Sequence, residues 1–416
     1  MKPIRRRTLL GLSGAAAVAI AAPLPALFAR GKPRGSSLVS DPRRLLDLRA
    51  GFTYRILDRA GDAMSDGYRV PWRPDGMGCF SGPNGTWILM RNHELTRSEQ
   101  HGPRGSAPHA YDPGAYGSVT RLVLDAKTRE LRSSNLVLTG TLRNCAGGIS
   151  PWGWLSCEES VDRGHGYVFA CRIEADRLEP PKRIATFGRF NHEAACVDPA
   201  TLATYMTEDR HDGCFYRFLP RDRQHPFEGQ LQALRVQGAP NYDVSRLRAG
   251  DRTSISWVTI PDADPEDDTV RLQAQERGAA IVRRGEGAWF HEGSVYVCAT
   301  VGGAEEKGQI LRLSPEPENR VASIAEGKSD GIDMPDNITV APWGDVYMAE
   351  DGSGDQFIRA LSRSGRVFEV ARNARSGGEF AGVCFSPDGT VLFANLQLEG
   401  LTVAITGPFE AISASG

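Results

Sequence analysis

Residues 144–160 read NCAGGISPWGWLSCEES, with a cysteine at one end of an apparent hairpin and two adjacent glutamates at the other. Carboxylates are hard oxygen donors suited to calcium, whereas a thiolate suits a softer ion such as iron or zinc. The same plan recurs in five further segments: a polar group followed by small residues, two apolar stretches about a Gly-containing turn, and a closing polar cluster. The opening groups are Asp75, Cys145, Glu193, Glu286, Asp336 with Asn337, and Glu379. The closing groups are Asn92-His93-Glu94, Glu158-Glu159, Glu208-Asp209, Thr300, Glu350-Asp351, and Asn395 with Gln397.

The elements that must position these groups are short strands. With 46 glycines and 26 prolines, the chain breaks into period-2 apolar runs joined by Asn-Gly, Asp-Pro, Glu-Gly, Trp-Gly-Asp and Asp-Gly turns, which read as hairpins. Repeats at roughly 40–50 residues predict an all-β propeller of six blades with short helical insertions. The longer gaps at 95–143 and 210–285 are expected to hold the insertions, and PDADPEDDTVRLQAQERGAA in the second reads as an acidic loop entering a short helix.

In a propeller the innermost strand of each blade lines the central channel, so groups at equivalent strand ends meet at one rim. Cys145, Glu193, Glu286, Asp336 and Glu379 are then expected to converge, with Glu158, Glu159, Glu208 and Glu350 as a second tier. Two like charges 4 Å apart repel by about 4 kcal/mol at an effective dielectric of 20, so such a ring must hold protons or cations. Multivalent metal is the simpler answer. His93 and His192, in NHELT and NHEAA, read as hydrogen-bonding residues at strand ends rather than ligands. Closed zinc sites are disfavoured, because CxxC and HxxxH are missing from the sequence.

The remaining signals bound the function. A formal charge of −2 offers nothing to nucleic acid. The N-terminal MKPIRRRTLLGLSGAAAVAIAAPLPALFA carries a basic region and a short Gly/Ala-rich stretch, resembling a twin-arginine export signal over residues 1–29. The mature chain, 30–416, then reads as one periplasmic or secreted domain, delivered by the twin-arginine translocase and acting as a monomer. Of its eight scattered cysteines, Cys171, Cys196, Cys298 and Cys384 sit in apolar runs and read as buried free thiols, Cys157 reads as a strand residue, and Cys145 is a candidate ligand. A nucleophile elbow and a phosphate-binding P-loop are both missing from the sequence.

The fragments PDGM, RNHE, NCAGGISPWGWLSCEE, GRFNHEAACVDP, RGEGAW, DNITVAPWGD and EFAGVCFSPDG, in this order, resemble the PhoX-type alkaline phosphatases over about residues 50–408. The resemblance implies a propeller whose channel mouth holds two ferric ions and several calcium ions and hydrolyses phosphate monoesters, with a metal-bound oxide or hydroxide attacking phosphorus. Carried over by motif, the metal ligands fall on Cys145, Glu193, Glu286, Asp336 and one or both of Glu158 and Glu159. The repeat adds Asn337, Glu350 and Glu379. Arg284 of the R-x-E motif falls on a phosphate contact of the reaction, and Asn92 is taken with it as a substrate contact. The rim loops are expected to be shorter than in longer members. Two rival readings keep the propeller: a calcium-dependent lactonase or esterase in which Cys145 is a buried thiol, and a non-enzymatic binding protein.

Overall fold

The computed structural model describes residues 37–100, 102–105, 108–327 and 330–414, so the export-signal reading lies outside the described residues. The chain is almost wholly antiparallel strand. Hydrogen bonding divides the strands into five sheets of six, four, nine, four and four members. These sheets stand in a propeller-like ring. Strands Pro74–Ser81, Asn144–Ser150, His192–Val197, Gly285–His291, Pro335–Val340 and Phe380–Phe385 line the centre, each packed on the next and the last on the first.

Six separate sheets are therefore not what the hydrogen bonds draw. The nine-stranded sheet runs from the inner strand His192–Val197 outward to Arg252–Thr259, whose edge pairs with Arg320–Glu326, and then back inward to Gly285–His291. Arg252, Thr253 and Ser254 register with Ala322, Val321 and Arg320. An outer edge that would otherwise present unpaired backbone groups is covered by its neighbour.

The 95–143 gap is not an insertion. It supplies Gly117–Asp125 and Leu131–Thr141, the two outer strands of the first four-stranded sheet. Likewise 210–285 supplies Phe215–Asp222, His225–Val236 and Arg252–Thr259, leaving helix Val270–Glu276 as the helical addition expected there. Gly-poor polar sequence hid these strands, because outer strands face water on one side and lose the continuous apolar run of inner ones.

The ring closes with both ends of the chain. Thr53–Arg59 pairs with Leu401–Thr406 as the outermost strand of the last sheet, so early and late residues are held in one ladder. The apolar core lies between adjacent sheets, as in the cluster of Phe380, Leu392, Val403 and Ile405 with Tyr347, Ile358 and Val370. Burying each large side chain contributes about 1.5–3 kcal/mol, enough in sum to hold polar strand ends in place at the centre.

Candidate active site

Every inner strand carries a β-bulge near its N-terminal end. The register slips between Pro74 and Met77, Asn144 and Gly147, His192 and Ala195, Gly285 and Ala288, Pro335 and Ile338, and Ala381 and Cys384. A bulge places two residues opposite one and re-aims the extra side chain. Five of these bulges contain Asp75, Cys145, Glu193, Glu286 and Asp336. In the sixth, the corresponding residue is Gly382 (φ 62°), and a Cβ there would lie 2.2 Å from the Asp75 carbonyl oxygen. Glu379 thus reaches the ring from the segment before its strand, rather than from the equivalent position expected of it.

The second strand of each sheet sorts its closing residues by alternation, since neighbours on a strand point to opposite faces. Glu158 points away from the mouth. Its carboxylate accepts hydrogen bonds from the backbone N–H groups of Leu142 (2.9 Å), Gly166 (2.9 Å) and Tyr167 (3.2 Å) and bonds His165 at 2.7 Å. With both oxygens so engaged it holds loops together and is not a metal ligand. Glu208 accepts from Cys214 N and Tyr216 Oη, and Glu350 from Asp333 N and Arg359 Nε, both directed into the sheets. Of the expected second tier, Glu158, Glu208 and Glu350 are therefore turned away from the mouth, which corrects the assignment of Glu158 and Glu350 as ligands.

The next residue in each case faces the channel. Glu159 lies with Cys145 and Glu193 such that one ligand atom from each falls within 4.8 Å of the others. This answers which of the paired glutamates reaches the cluster. Glu94, Asp209 and Asp351 take the same place in their sheets, and Asp351 is hydrogen-bonded to Glu379. These three lie in the closing clusters of the sequence; alternation requires that one residue of each pair faces the channel, and the strand's register decides which.

The carboxyl groups sense one another across the mouth. Burial, then the charges of Glu159, Asp336 and Asp75, push Glu193 well above the usual carboxylate range. Burial with Glu94 and Asp336 does the same to Asp75, and burial with Asp209 and Asp336 to Glu286. Burial raises Glu159 to about 8, Asp336 to about 7 and Glu379 to about 10, with neighbouring carboxylates adding to each. Asn337 is buried in the bulge beside Asp336. A buried thiol amid carboxyls, Cys145 is likewise raised well above its ordinary value, first by burial and then by Glu193. Without a cation such a ring is electrostatically costly, and with one it is a ligand set: the residues fit a metal cluster.

All eight cysteines are free and buried, so Cys145 and Cys157 are not joined. Asn92 is not at the mouth. Its amide nitrogen donates to the carbonyls of Cys145 (3.1 Å) and Ala146 (2.6 Å), and its oxygen accepts from Trp154 Nε1 (2.8 Å). A fully buried group bonded this way pins the cysteine bulge, and the substrate contact expected of it is withdrawn. His93 bonds Trp72 O and Thr120 Oγ1, and His192 bonds Gly188 O, in keeping with the hydrogen-bonding roles read for them.

Arginine enters by the same repeat. Arg73, Arg143 and Arg284 each stand two residues before a bulge residue and share a left-handed backbone, with φ of 52°, 47° and 46°. Arg284 donates from Nε to Asp209 (2.8 Å) and from Nη2 to both Asp209 (3.1 Å) and Glu286 (2.6 Å). Burial opposes its charge, yet these partners hold its pKa above the ordinary value. Arg143 donates to Glu94 at 3.0 Å and pairs with Glu159. The signal was legible as R-x-D, R-x-C and R-x-E at 73–75, 143–145 and 284–286.

The sequence profile of alkaline phosphatase PhoX matches residues 34–135 and 123–400. The chain belongs to the PhoX alkaline phosphatase family. It is a phosphatase, a hydrolase of phosphate monoesters. Among solved structures, Pseudomonas fluorescens PhoX in complex with vanadate, a transition state analogue, is similar at a TM-score of 0.66 and 18% identity, over 88% of this chain and 96% of that one. That likeness shows the PhoX fold here. A Bacteroides thetaiotaomicron protein of unknown function matches at a TM-score of 0.49 and 10% identity, over 85% and 76% of the two chains. A Xanthomonas campestris gluconolactonase matches at 0.42 and 13%, over 85% and 95%. No curated protein sequence matches the chain. No helix among the described residues is long and apolar enough to cross a membrane.

Proposed function

We propose that this PhoX-family phosphatase binds phosphate monoesters at the bulge ring and hydrolyses them there with iron and calcium held by its side chains. Cys145, Glu159 and Glu193 would hold iron, because a thiolate among carboxylates suits it better than calcium. Asp75, Glu94, Glu286, Asp336, Asn337, Asp351 and Glu379 form the oxygen-rich remainder suited to calcium. Bound cations supply Lewis-acid polarisation of the phosphoryl oxygens and an activated oxygen nucleophile. The observation that carries this reading is the clustering of Cys145, Glu159 and Glu193 within 4.8 Å.

The chain's own residues then have separable tasks. Arg284 presents a planar guanidinium beside the ring; Asp209 and Glu286 fix its plane through Nε and Nη2, and Nη1, which makes none of these bonds, is the donor left for a phosphoryl oxygen. Asn92 and Trp154 hold the Cys145 bulge from behind. Glu158, bonded on four sides, fixes the loop from which Glu159 projects. The burial of the ring keeps water from screening these charges.

The six bulged inner strands support a count of six blades, two of them fused through their outer edges into the nine-stranded sheet. Export by the twin-arginine pathway to the periplasm or medium belongs to the same reading, and a translocase-deficient strain should retain the protein inside the cell. The decisive experiment is metal analysis with a visible spectrum of the purified protein and of Cys145→Ser. Iron and colour should vanish together in the variant. Protein that retains iron and calcium yet releases no phosphate from p-nitrophenyl phosphate at about pH 9 would refute the reading.

A further inference from the structure

Beside the ring, among the loops at the mouth that flank the first three sheets' inner strands, opens a cavity of about 460 Å³. It shares Arg143 and Glu159 with the site just described, and Asn191 on its wall donates to Glu159 at 3.1 Å, so a group esterified to a phosphoryl at the ring would project into it. Its walls are mixed: Leu142 and Val161 give it an apolar part, and the hydroxyls of Thr96, Ser98 and Ser160 with the charged groups of Arg97, Asp162 and Arg210 give it a polar one. Among the described residues, none of its lining side chains is aromatic.

We propose that this cavity receives the alcohol portion of the substrate, and that the alcohol is a hydroxyl-rich one, a sugar or polyol, rather than an aryl or long aliphatic group. The inference rests on the proposed phosphatase site, and deepens it by naming the substrate class.

Donors and acceptors alternate around the cavity. Arg97 and Arg210 donate, Asp162 accepts, and the hydroxyls do both, while Arg143 and Glu159 are paired with each other at the cavity's inner end. A sugar hydroxyl both donates and accepts, so it replaces the water it displaces bond for bond. An aromatic ring would leave these groups desolvated and unpaired, which is costly. The volume lies in the range of small-ligand sites and suits a hexose. The apolar cavity of about 310 Å³, lined by Ile149, Val197, Ala288, Trp289 and Phe290, sits at the far ends of the inner strands and offers no alternative seat for an ester held at the ring.

Glucose 6-phosphate and p-nitrophenyl phosphate discriminate the idea, with Ser98→Leu filling the cavity and Arg97→Ala removing a donor. In each variant kcat/KM for glucose 6-phosphate should fall by about 10-fold or more, while that for p-nitrophenyl phosphate stays within about twofold. Saturation-transfer NMR should show sugar-ring protons of glucose 6-phosphate in contact with the wild-type protein and not with Ser98→Leu. Equal losses on both substrates, no loss on either, or unchanged sugar contacts would overturn the inference. Failure of the wild-type protein to hydrolyse either ester would instead strike the proposed phosphatase site, and the NMR contact would still decide this one.

Discussion

The two ends of the same inner strands are built from opposite materials. At the mouth, Asp75, Cys145, Glu193 and Glu286 are buried polar groups that repel one another. At the far end Ile149, Val197, Ala288, Trp289 and Phe290 surround an apolar cavity. The backbone accounts for the difference. Beyond the bulge the ladder is regular, so side chains alternate between the faces packed on neighbouring sheets and form core. At the bulge the pairing breaks, and one side chain per strand is turned to the channel. Chemistry sits where the ladder is interrupted.

Breaking the mouth should have the largest effect. Glu193→Gln removes a ligand charge from the tightest cluster, and phosphatase activity should fall by at least about 100-fold with loss of bound iron, since even supporting residues of metal sites are worth 10–100-fold. Unchanged iron content with full activity would remove Glu193 from the site. Arg284→Ala should lower kcat/KM by about 100-fold at unchanged metal content, because its guanidinium is aimed rather than ligating. Arg143→Ala, whose guanidinium is spent on Glu94 and Glu159, should cost about 10-fold and weaken metal retention. Equal effects from the two arginines would erase the distinction drawn between them.

A smaller effect concerns pH. In protein stripped by chelator, Glu159, Glu379 and their neighbours keep protons that the unfolded chain has already released above about pH 4.3. The folded state therefore binds more protons, and stability must fall as pH rises, by about 1.4 kcal/mol per pH unit for each such carboxyl. This loss should run from about pH 5 towards the folded values of about 8 and 10, and added calcium should flatten it. A melting temperature of stripped protein that holds steady or rises across this window would contradict the electrostatic account. At the far end, Phe290→Ala should leave kcat within about twofold while lowering stability by about 2 kcal/mol, measured by denaturant unfolding.

Much of this was legible in the sequence. The opening residues Asp75, Cys145, Glu193, Glu286 and Asp336 follow a repeat whose strands and turns are local matters of alternation and glycine, and the ordered motifs carried the family. Local pattern could not choose between Glu158 and Glu159, because both are acidic and adjacent; which faces the channel depends on the strand's register against its neighbours. Glu350 and Asn92 looked available for the same reason, but Asp333 N and Arg359 hold Glu350 Oε1 within its sheet, and the Cys145 bulge and Trp154 take the amide of Asn92. The fusion of two sheets was hidden, since Arg252–Ser254 and their partners Arg320–Ala322 lie far apart in sequence and leave no periodic trace. Residue type and spacing determined what chemistry this protein could hold. Only tertiary structure, by aligning six bulges around one axis, decided which carboxyl groups meet there, because convergence is a property of the closed ring and of no single strand.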